Sequence, residues 1–137
     1  MFSNVWTALK AILDPLITTT TLTAVFNYDV KTYDTFPLCN IMIADSEETY
    51  LDSSNNMADL KFIIKIIDQN KSIATMEARM RTLVDTILVE LRKKSNCTLW
   101  WIAEWITFSI IWGWQDYEQP TRVCEITCKV RVVNTVV

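Results

Sequence analysis

The spacing of apolar residues along the chain switches twice between a helical and an alternating period. Near the amino terminus, Val5, Leu9 and Ile12 recur at three- and four-residue intervals, which predicts a helix that ends at Pro15. The same spacing returns after Ser72 and continues for several turns. Its apolar positions are Ile73, Met76, Met80, Leu83, Val84, Ile87, Leu88 and Leu91. This second stretch predicts a long helix that packs one face on an apolar surface.

Polar residues mark the start and the solvent-exposed side of this long helix. Ser72 stands where its side chain can cap the free backbone amides of the first turn. Glu77 with Arg81, and Arg81 with Asp85, are spaced for i,i+4 ion pairs on the exposed side. The basic residues 92–94 fall where the helix ends and complement its dipole.

Between and after the two helices the pattern alternates, which predicts strands. The expected strands cover residues 24–30, 38–44 and 59–68, followed by a hairpin with arms at 98–114 and 121–133. Residues 115–120 close that hairpin. In its second arm, Cys124, Ile126, Cys128, Val130 and Val132 alternate strictly with polar residues, so this arm has one buried face and one wet face.

The order α-β-β-β-α-β-β predicts an α+β fold in a single domain, residues 1–137. We expect a mixed, mainly antiparallel sheet with both helices packed on one face. The stretches 38–44, 60–67 and 99–112 are apolar on both faces, so two helices would leave apolar sheet surface uncovered. Such surface is typical of a contact with a neighbouring chain, and a homo-oligomer is therefore expected.

The most apolar stretch, Leu99 to Trp114, raises the question of a membrane span. It is shorter than the roughly 20 apolar residues that a spanning helix needs, and Glu104 lies near its middle. Its content of Trp, Ile, Phe and Thr favours a strand. We therefore expect no membrane partner. The amino terminus lacks the features of a secretory signal, so intracellular synthesis is also expected.

Five of the six tryptophans lie close together in this stretch: Trp100, Trp101, Trp105, Trp112 and Trp114. Aromatic residues of this size fill protein cores, and they are also enriched as anchors at protein interfaces. The sequence leaves both roles open. The cluster is the candidate interface.

A second candidate surface is acidic. Residues 45–56 contain Asp45, Glu47, Glu48 and Asp52 together with a Ser-Ser-Asn-Asn tract. This composition predicts an exposed loop. The carboxylates are in principle able to bind a divalent cation or act as acids and bases, but the loop has no recognisable order of ligands.

The rest of the composition argues against catalysis and cofactors. The chain has no histidine and one glycine, Gly113, which removes the commonest general base and any glycine-rich phosphate loop. Cys39, Cys97, Cys124 and Cys128 lack the tight pairing of a zinc site and are interpreted as small buried apolar residues. We expect no enzymatic activity, no cofactor and no metal. The formal net charge of -3 is not the basic charge that is typical of a nucleic-acid-binding protein.

The chain resembles the tail terminator, or tail completion, proteins of long-tailed bacteriophages. The resemblance covers nearly the whole length and rests on the order of elements, with no diagnostic motif. Its local features are Phe36-Pro37 before a short apolar strand, Phe62-Ile63-Ile64 in the next, Ala74 and Ala78 early in the long helix, and Arg122 opening the last strand.

The resemblance implies a virion protein, assembled in the host cytoplasm, that forms a hexameric ring. The ring would cap the tail tube, contact the tube and neck proteins, and let DNA pass without specific binding. An acidic lumen suits a passing polyanion, and the segment from Asp45 to Asp52 is compatible with that position. Another head-tail connector protein is the nearest alternative. A small-ligand-binding or enzymatic domain with a tryptophan-lined pocket is the alternative from a different class.

Overall fold

A computed structural model describes residues 2–26, 35–50, 55–93, 105–116 and 120–135 of the chain. The helices are α1 (Phe2–Leu13), α2 (Leu16–Thr19) and α3 (Ile73–Arg92). The strands are β1 (Ala24–Phe26), β2 (Leu38–Tyr50), β3 (Asn55–Gln69), β4 (Trp105–Asp116) and β5 (Pro120–Thr135). This order confirms the predicted α+β fold. It adds one short helix, α2.

Within the described residues the strands form one five-stranded sheet in the order β1-β2-β3-β5-β4. All neighbours are antiparallel except β1 and β2, which are parallel. Strand β3 lies at the centre. The mixed, mainly antiparallel sheet is therefore confirmed, and β4 forms one of its edges.

Both long helices pack on the same face of the sheet. Helix α1 contacts β1 and β2, α3 contacts β3 and β5, and the two helices contact each other. The Trp6 indole of α1 donates a hydrogen bond of 3.1 Å to the carbonyl of Ile41 on β2. The core between these layers includes Leu60, Phe62, Ile64 and Ile66 from β3, all fully buried.

The predicted apolar stripe of α3 is confirmed from its second position onward, because the residues Met76, Met80, Leu83, Val84, Ile87, Leu88 and Leu91 are all buried. Its first predicted member, Ile73, is 52% exposed at the start of the helix. Its cap is also confirmed, since the Ser72 hydroxyl accepts a hydrogen bond of 3.3 Å from the amide of Thr75. The expected pairing of Glu77 with Arg81 is wrong. Glu77 instead pairs with Arg122 on β5, and the Arg81 guanidinium donates to the Glu77 carbonyl. The long-range partner lies against the sheet, where the ion pair is less exposed to water.

Helix α2 contains Thr18 and Thr19, although β-branched residues have a lowered helix propensity. The Thr18 and Thr19 hydroxyls donate to the Pro15 carbonyl at 3.0 and 3.4 Å, and Thr20 donates to the Leu16 carbonyl at 2.6 Å. Hydrogen bonds from threonine to the preceding turn allow a single helical turn despite β-branching.

The predicted acidic loop is also wrong where the structure describes it. Asp45, Glu47 and Glu48 lie on β2, which pairs with β3 through Tyr50, whereas Asp52 lies outside the described residues. An irregularity between Ile43 and Ser46 shifts the register within this pairing. Polar composition alone misled the prediction, because an exposed strand in a long hairpin can carry as many polar residues as a loop.

The face of the sheet away from the helices is mixed in character. Register and alternation place Lys61, Ile63 and Lys65 of β3 on it, next to Glu125 and Lys129 of β5. The expectation of an uncovered apolar face is therefore met only in part. Leu38, Ile67 and Val123 lie side by side across three strands of this face and are buried.

Asp59 makes the best-defined ion pair of this face. Its carboxylate accepts hydrogen bonds of 2.7 and 2.9 Å from Arg131, and Lys129 lies 3.6 Å away. The hydrogen bond and charge of Arg131, together with Lys129, lower the pKa of Asp59 below its ordinary value of 3.8. The folded protein consequently binds fewer protons at this site than the unfolded chain.

The substitution Phe62→Ala tests the core. Loss of a fully buried aromatic ring from the central strand is expected to reduce the free energy of unfolding by about 3–5 kcal/mol. Urea unfolding followed by circular dichroism measures this. The control is Val89→Ala on the exposed side of α3, where the valine is 59% exposed and a change within about 0.5 kcal/mol is expected. Equal effects of the two substitutions would contradict the assigned core.

The substitution Asp59→Asn tests the ion pair through its pH dependence. Because the folded-state pKa is depressed, the stabilisation is present at neutral pH and is lost as the pH falls below 3.8 toward the folded value. The wild-type protein should be more stable than the variant at neutral pH, and the difference should shrink in acid. Urea midpoints at several pH values measure this. The control is Asp45→Asn, because the Asp45 side chain is 68% exposed. A stability difference between wild type and Asp59→Asn that does not change with pH would refute the ion pair assigned to Asp59.

Candidate interaction surface

The edge strand β4 carries a concentration of exposed apolar side chains. Among the described residues it pairs only with β5, so its outer edge has no strand partner there. Ile110 and Trp112 are each 37% exposed, Trp114 is 50% exposed and Ile111 is 61% exposed. Ile106, at the other end of the strand, is buried. The exposed apolar surface therefore belongs to the second half of β4.

Trp112 and Trp114 are held in place by an arginine from the neighbouring strand. Trp114 lies directly opposite Arg122 in the β4–β5 register, and Trp112 lies opposite Cys124. The Arg122 guanidinium carbon lies 5.1 Å from the centre of the Trp112 ring and 4.7 Å from that of Trp114. Both distances are within the range of a cation–π contact. One cation thus orders two indoles, and we call these three residues the tryptophan–arginine cluster.

Arg122 is itself anchored at two further points. Its Nε lies 2.8 Å from Glu77 Oε1 on α3, and its Nη1 donates a hydrogen bond of 3.1 Å to the carbonyl of Gly113 on β4. The Nε is buried, and its contact with Glu77 does not have the geometry of a hydrogen bond, so this contact is an ion pair. The cluster is consequently tied to the helix layer as well as to the sheet.

A small cleft adjoins the cluster. It has a volume of about 290 Å³ and is lined by Glu77, Arg81, Trp112 and Arg122. An aromatic ring, two guanidinium groups and a carboxylate therefore meet at one surface position. The arrangement can bind a side chain or small molecule that has both apolar and polar parts.

The predicted interface tryptophans fall into three groups. Trp112 and Trp114 are exposed and lie together. Trp105 lies at the start of β4, opposite Arg131. Trp100 and Trp101 lie outside the described residues. An interface role for all five remains a prediction.

The acidic candidate residues lie far along the sheet from the tryptophan–arginine cluster. Asp45, Glu47 and Glu48 are exposed on β2. Asp45 lies 3.7 Å from the Lys61 ammonium, and Glu48 accepts a hydrogen bond of 3.4 Å from Asn56. Their placement in a hairpin gives them fixed positions on an exposed strand. A position in a lumen remains a hypothesis.

The described residues include a buried ion pair that no sequence pattern predicted. Asp68 is fully buried at the end of β3, and both of its carboxylate oxygens accept hydrogen bonds from Arg79 on α3. Arg79 lies beyond Ser72, so the pair links the start of the helix to the sheet. An acidic residue ending an apolar strand close to a helix was the only signal in the sequence.

Three of the cysteines are buried free thiols, as expected: Cys39, Cys124 and Cys128. Burial raises the pKa of Cys124 to about 11 and that of Cys128 to about 12, and it also raises the pKa of Cys39. These thiols are protonated at neutral pH. Across the described ranges, no three cysteine, aspartate or glutamate side chains are grouped as metal ligands. No helix in those ranges is long and apolar enough to cross a membrane.

The chain matches no protein-family model and no curated protein sequence. Among solved structures it is similar to a chain from the virion of a native gene transfer agent particle. That similarity has a TM-score of 0.45 and 14% sequence identity, and it covers 92% of this chain and 84% of the other. At this level the similarity is weak, and by itself it identifies neither a family nor a role.

Proposed function

We propose that this chain is a structural virion protein of a phage-like particle, a tail terminator that assembles as a ring of identical copies. The observation that carries the assembly part of the proposal is the apolar second half of the edge strand β4. A long apolar strand edge is a surface that associates with other chains unless it is protected. Trp112 and Trp114 add large, ordered rings of the kind that dominate interface energetics.

The tail-terminator part of the proposal comes from the resemblance in element order. In this role the chain forms a hexameric ring that caps the tail tube and joins it to the neck, without catalytic activity. Its partners are further copies of itself, the tail tube protein and the neck proteins, and its location is the tail or neck of the virion. Another head-tail connector role fits the same surface.

In such a ring, exposed carboxylates on the inner wall would repel the phosphates of passing DNA. Asp45, Glu47 and Glu48 are the exposed group that suits this position. They lie together on the second half of β2, whereas the apolar contact surface lies on β4. A lumen lined by β2 is therefore compatible with neighbours that meet through β4.

A second candidate function rests on the cleft lined by Trp112, Arg122, Glu77 and Arg81. Its mixture of an aromatic ring and charged groups suits a small ligand as well as a partner side chain. In that case the protein would be a small-ligand-binding domain, and the exposed tryptophans would serve the ligand. The two candidates differ in oligomeric state, which can be measured directly.

The experiment is light scattering after size-exclusion chromatography, with negative-stain electron microscopy of the same sample. The wild-type protein is expected to form closed rings with six-fold symmetry. The double substitution Trp112→Ala/Trp114→Ala should weaken the contact by at least about 2 kcal/mol, or roughly 30-fold in affinity, because truncating interface tryptophans costs this much or more. Circular dichroism establishes that the variant is folded.

Val89→Ala is the matched control, because Val89 is an exposed apolar residue on α3 and is 59% accessible. The oligomers formed by Val89→Ala should have the same mass and appearance as those of the wild-type protein. A wild-type protein that stays monomeric at high micromolar concentration would exclude the ring for the isolated chain. A monomer whose tryptophan fluorescence responds to a small molecule would instead support the ligand-binding candidate.

A further inference from the structure

A second surface feature lies on the flank of α3 that faces away from β4. It is a groove of about 480 Å³ between α3 and the segment that follows α2. The residues that line it include Thr20, Thr21, Ala78, Thr82, Leu83 and Thr86. The tryptophan–arginine cluster and this groove are therefore separated by the body of the helix.

The groove is apolar although threonines predominate in its wall. The Thr82 hydroxyl donates to the Ala78 carbonyl at 3.1 Å, and the Thr86 hydroxyl donates to the Thr82 carbonyl at 2.9 Å. Thr20 likewise donates to the Leu16 carbonyl. These three hydroxyls therefore donate to backbone carbonyls of the preceding turn and not into the groove, whose accessible surface is mainly apolar.

The only charged residue in the groove wall among the described residues is Arg79. Its guanidinium is already hydrogen-bonded to both oxygens of the buried Asp68 carboxylate. Breaking that pair would leave a buried charge uncompensated, which is strongly unfavourable. The groove therefore offers an occupant mainly apolar surface and no free charge.

An aromatic ring fits this groove in both size and chemistry. A cavity of about 150 Å³ holds a benzene ring, so a groove of about 480 Å³ has room for an indole. The same chain presents two indoles, Trp112 and Trp114, with 37% and 50% of their surfaces exposed. They cannot reach the groove of their own chain, because Arg122 ties them to Glu77 on the opposite flank of α3.

We infer that Trp112 and Trp114 of one copy insert into the threonine-lined groove of the next copy. The inference rests on the proposed function, because it names the two surfaces that meet in the ring. Since the two surfaces differ, the contact is head-to-tail. Head-to-tail contacts close into a ring when the rotation between copies permits. The Arg122 contacts order the indoles before binding, which lowers the entropy lost on insertion.

Cysteine cross-linking between two copies that carry different affinity tags tests this arrangement. One copy carries Trp114→Cys and keeps Trp112, and the other carries Thr82→Cys. Both also carry Cys97→Ser, so that the introduced cysteine is the one available to the reagent, since Cys39, Cys124 and Cys128 are buried. The copies are expressed together and treated with a short bis-maleimide. The expected product is a dimer that contains one copy of each kind.

A control pairing replaces Thr82→Cys with Ile73→Cys, which lies at the start of α3, outside the groove, and is 52% exposed. The groove pairing should give at least about tenfold more cross-linked dimer than the control, because a short linker raises the effective concentration only for sulfurs that lie within its span. Trp114→Cys alone should give no dimer. Dimers of Trp114→Cys with itself would show a two-fold contact and overturn the inference.

A groove-filling variant provides an independent measurement. Ala78→Trp places an indole in the groove from an exposed position. It should reduce assembly of the oligomeric ring at least about 30-fold, as loss of an interface tryptophan does. Val89→Trp adds the same indole at an exposed position outside the groove and should leave the oligomer intact. Two results together would refute the groove as the receiving surface: oligomeric rings that still form with Ala78→Trp, and no cross-link between Trp114→Cys and Thr82→Cys. The proposed function would still stand in that case. A wild-type chain without any oligomer would refute both.

Discussion

The width of the helix layer relative to the sheet determines which parts of this molecule are exposed. Strands are spaced about 4.8 Å apart and a helix with its side chains is about 10 Å across, so two helices side by side cover roughly four strands. Here α1 and α3 lie over β1, β2, β3 and β5. The second half of the fifth strand, β4, extends past the helix layer, whereas Ile106 near its start is buried in the core. Phe62, Ile64 and Ile126 are therefore fully buried, whereas Ile110, Trp112 and Trp114 on the same face are not.

Arg122 compensates for this incomplete cover. It reaches from β5 to a carboxylate on α3, to a backbone carbonyl on β4 and to both indole rings. Without such contacts, exposed tryptophans on an edge strand would sample several rotamers. A charged side chain that is less exposed than the rings it orders gives them a fixed orientation and still leaves much of their surface accessible. The cluster thus behaves as a preformed surface.

Local patterns predicted the elements of this fold well, and non-local contacts account for the errors. The stripe from Met76 to Leu91 and the alternation from Cys124 to Val132 depend only on spacing, and both are confirmed. Glu77 was assigned to Arg81 by the i,i+4 rule, but its partner lies on β5, which no local pattern reveals. The segment with Asp45, Glu47 and Glu48 has loop composition, yet pairing with β3 makes it a strand. The sequence identified Trp112 and Trp114 as candidates, but it gave no sign of the arginine between them.

The two exposed edges of the sheet differ in a way that favours an ordered contact over indiscriminate association. Beyond Asn40, the outer edge of β2 has no partner among the described strands, and it carries Asp45, Glu47 and Glu48 as well as a register shift. Charges and irregularities of this kind protect an edge from unwanted pairing. Strand β4 contains no lysine, arginine or proline, and the exposed residues of its second half are largely apolar. Of these two edges, the one formed by β4 lacks such protection. Edge-to-edge pairing therefore cannot continue from copy to copy into an extended sheet. A contact made through β4 can therefore join two β4 edges across a two-fold axis or end on a different kind of surface, and the proposed head-to-tail contact requires the second arrangement.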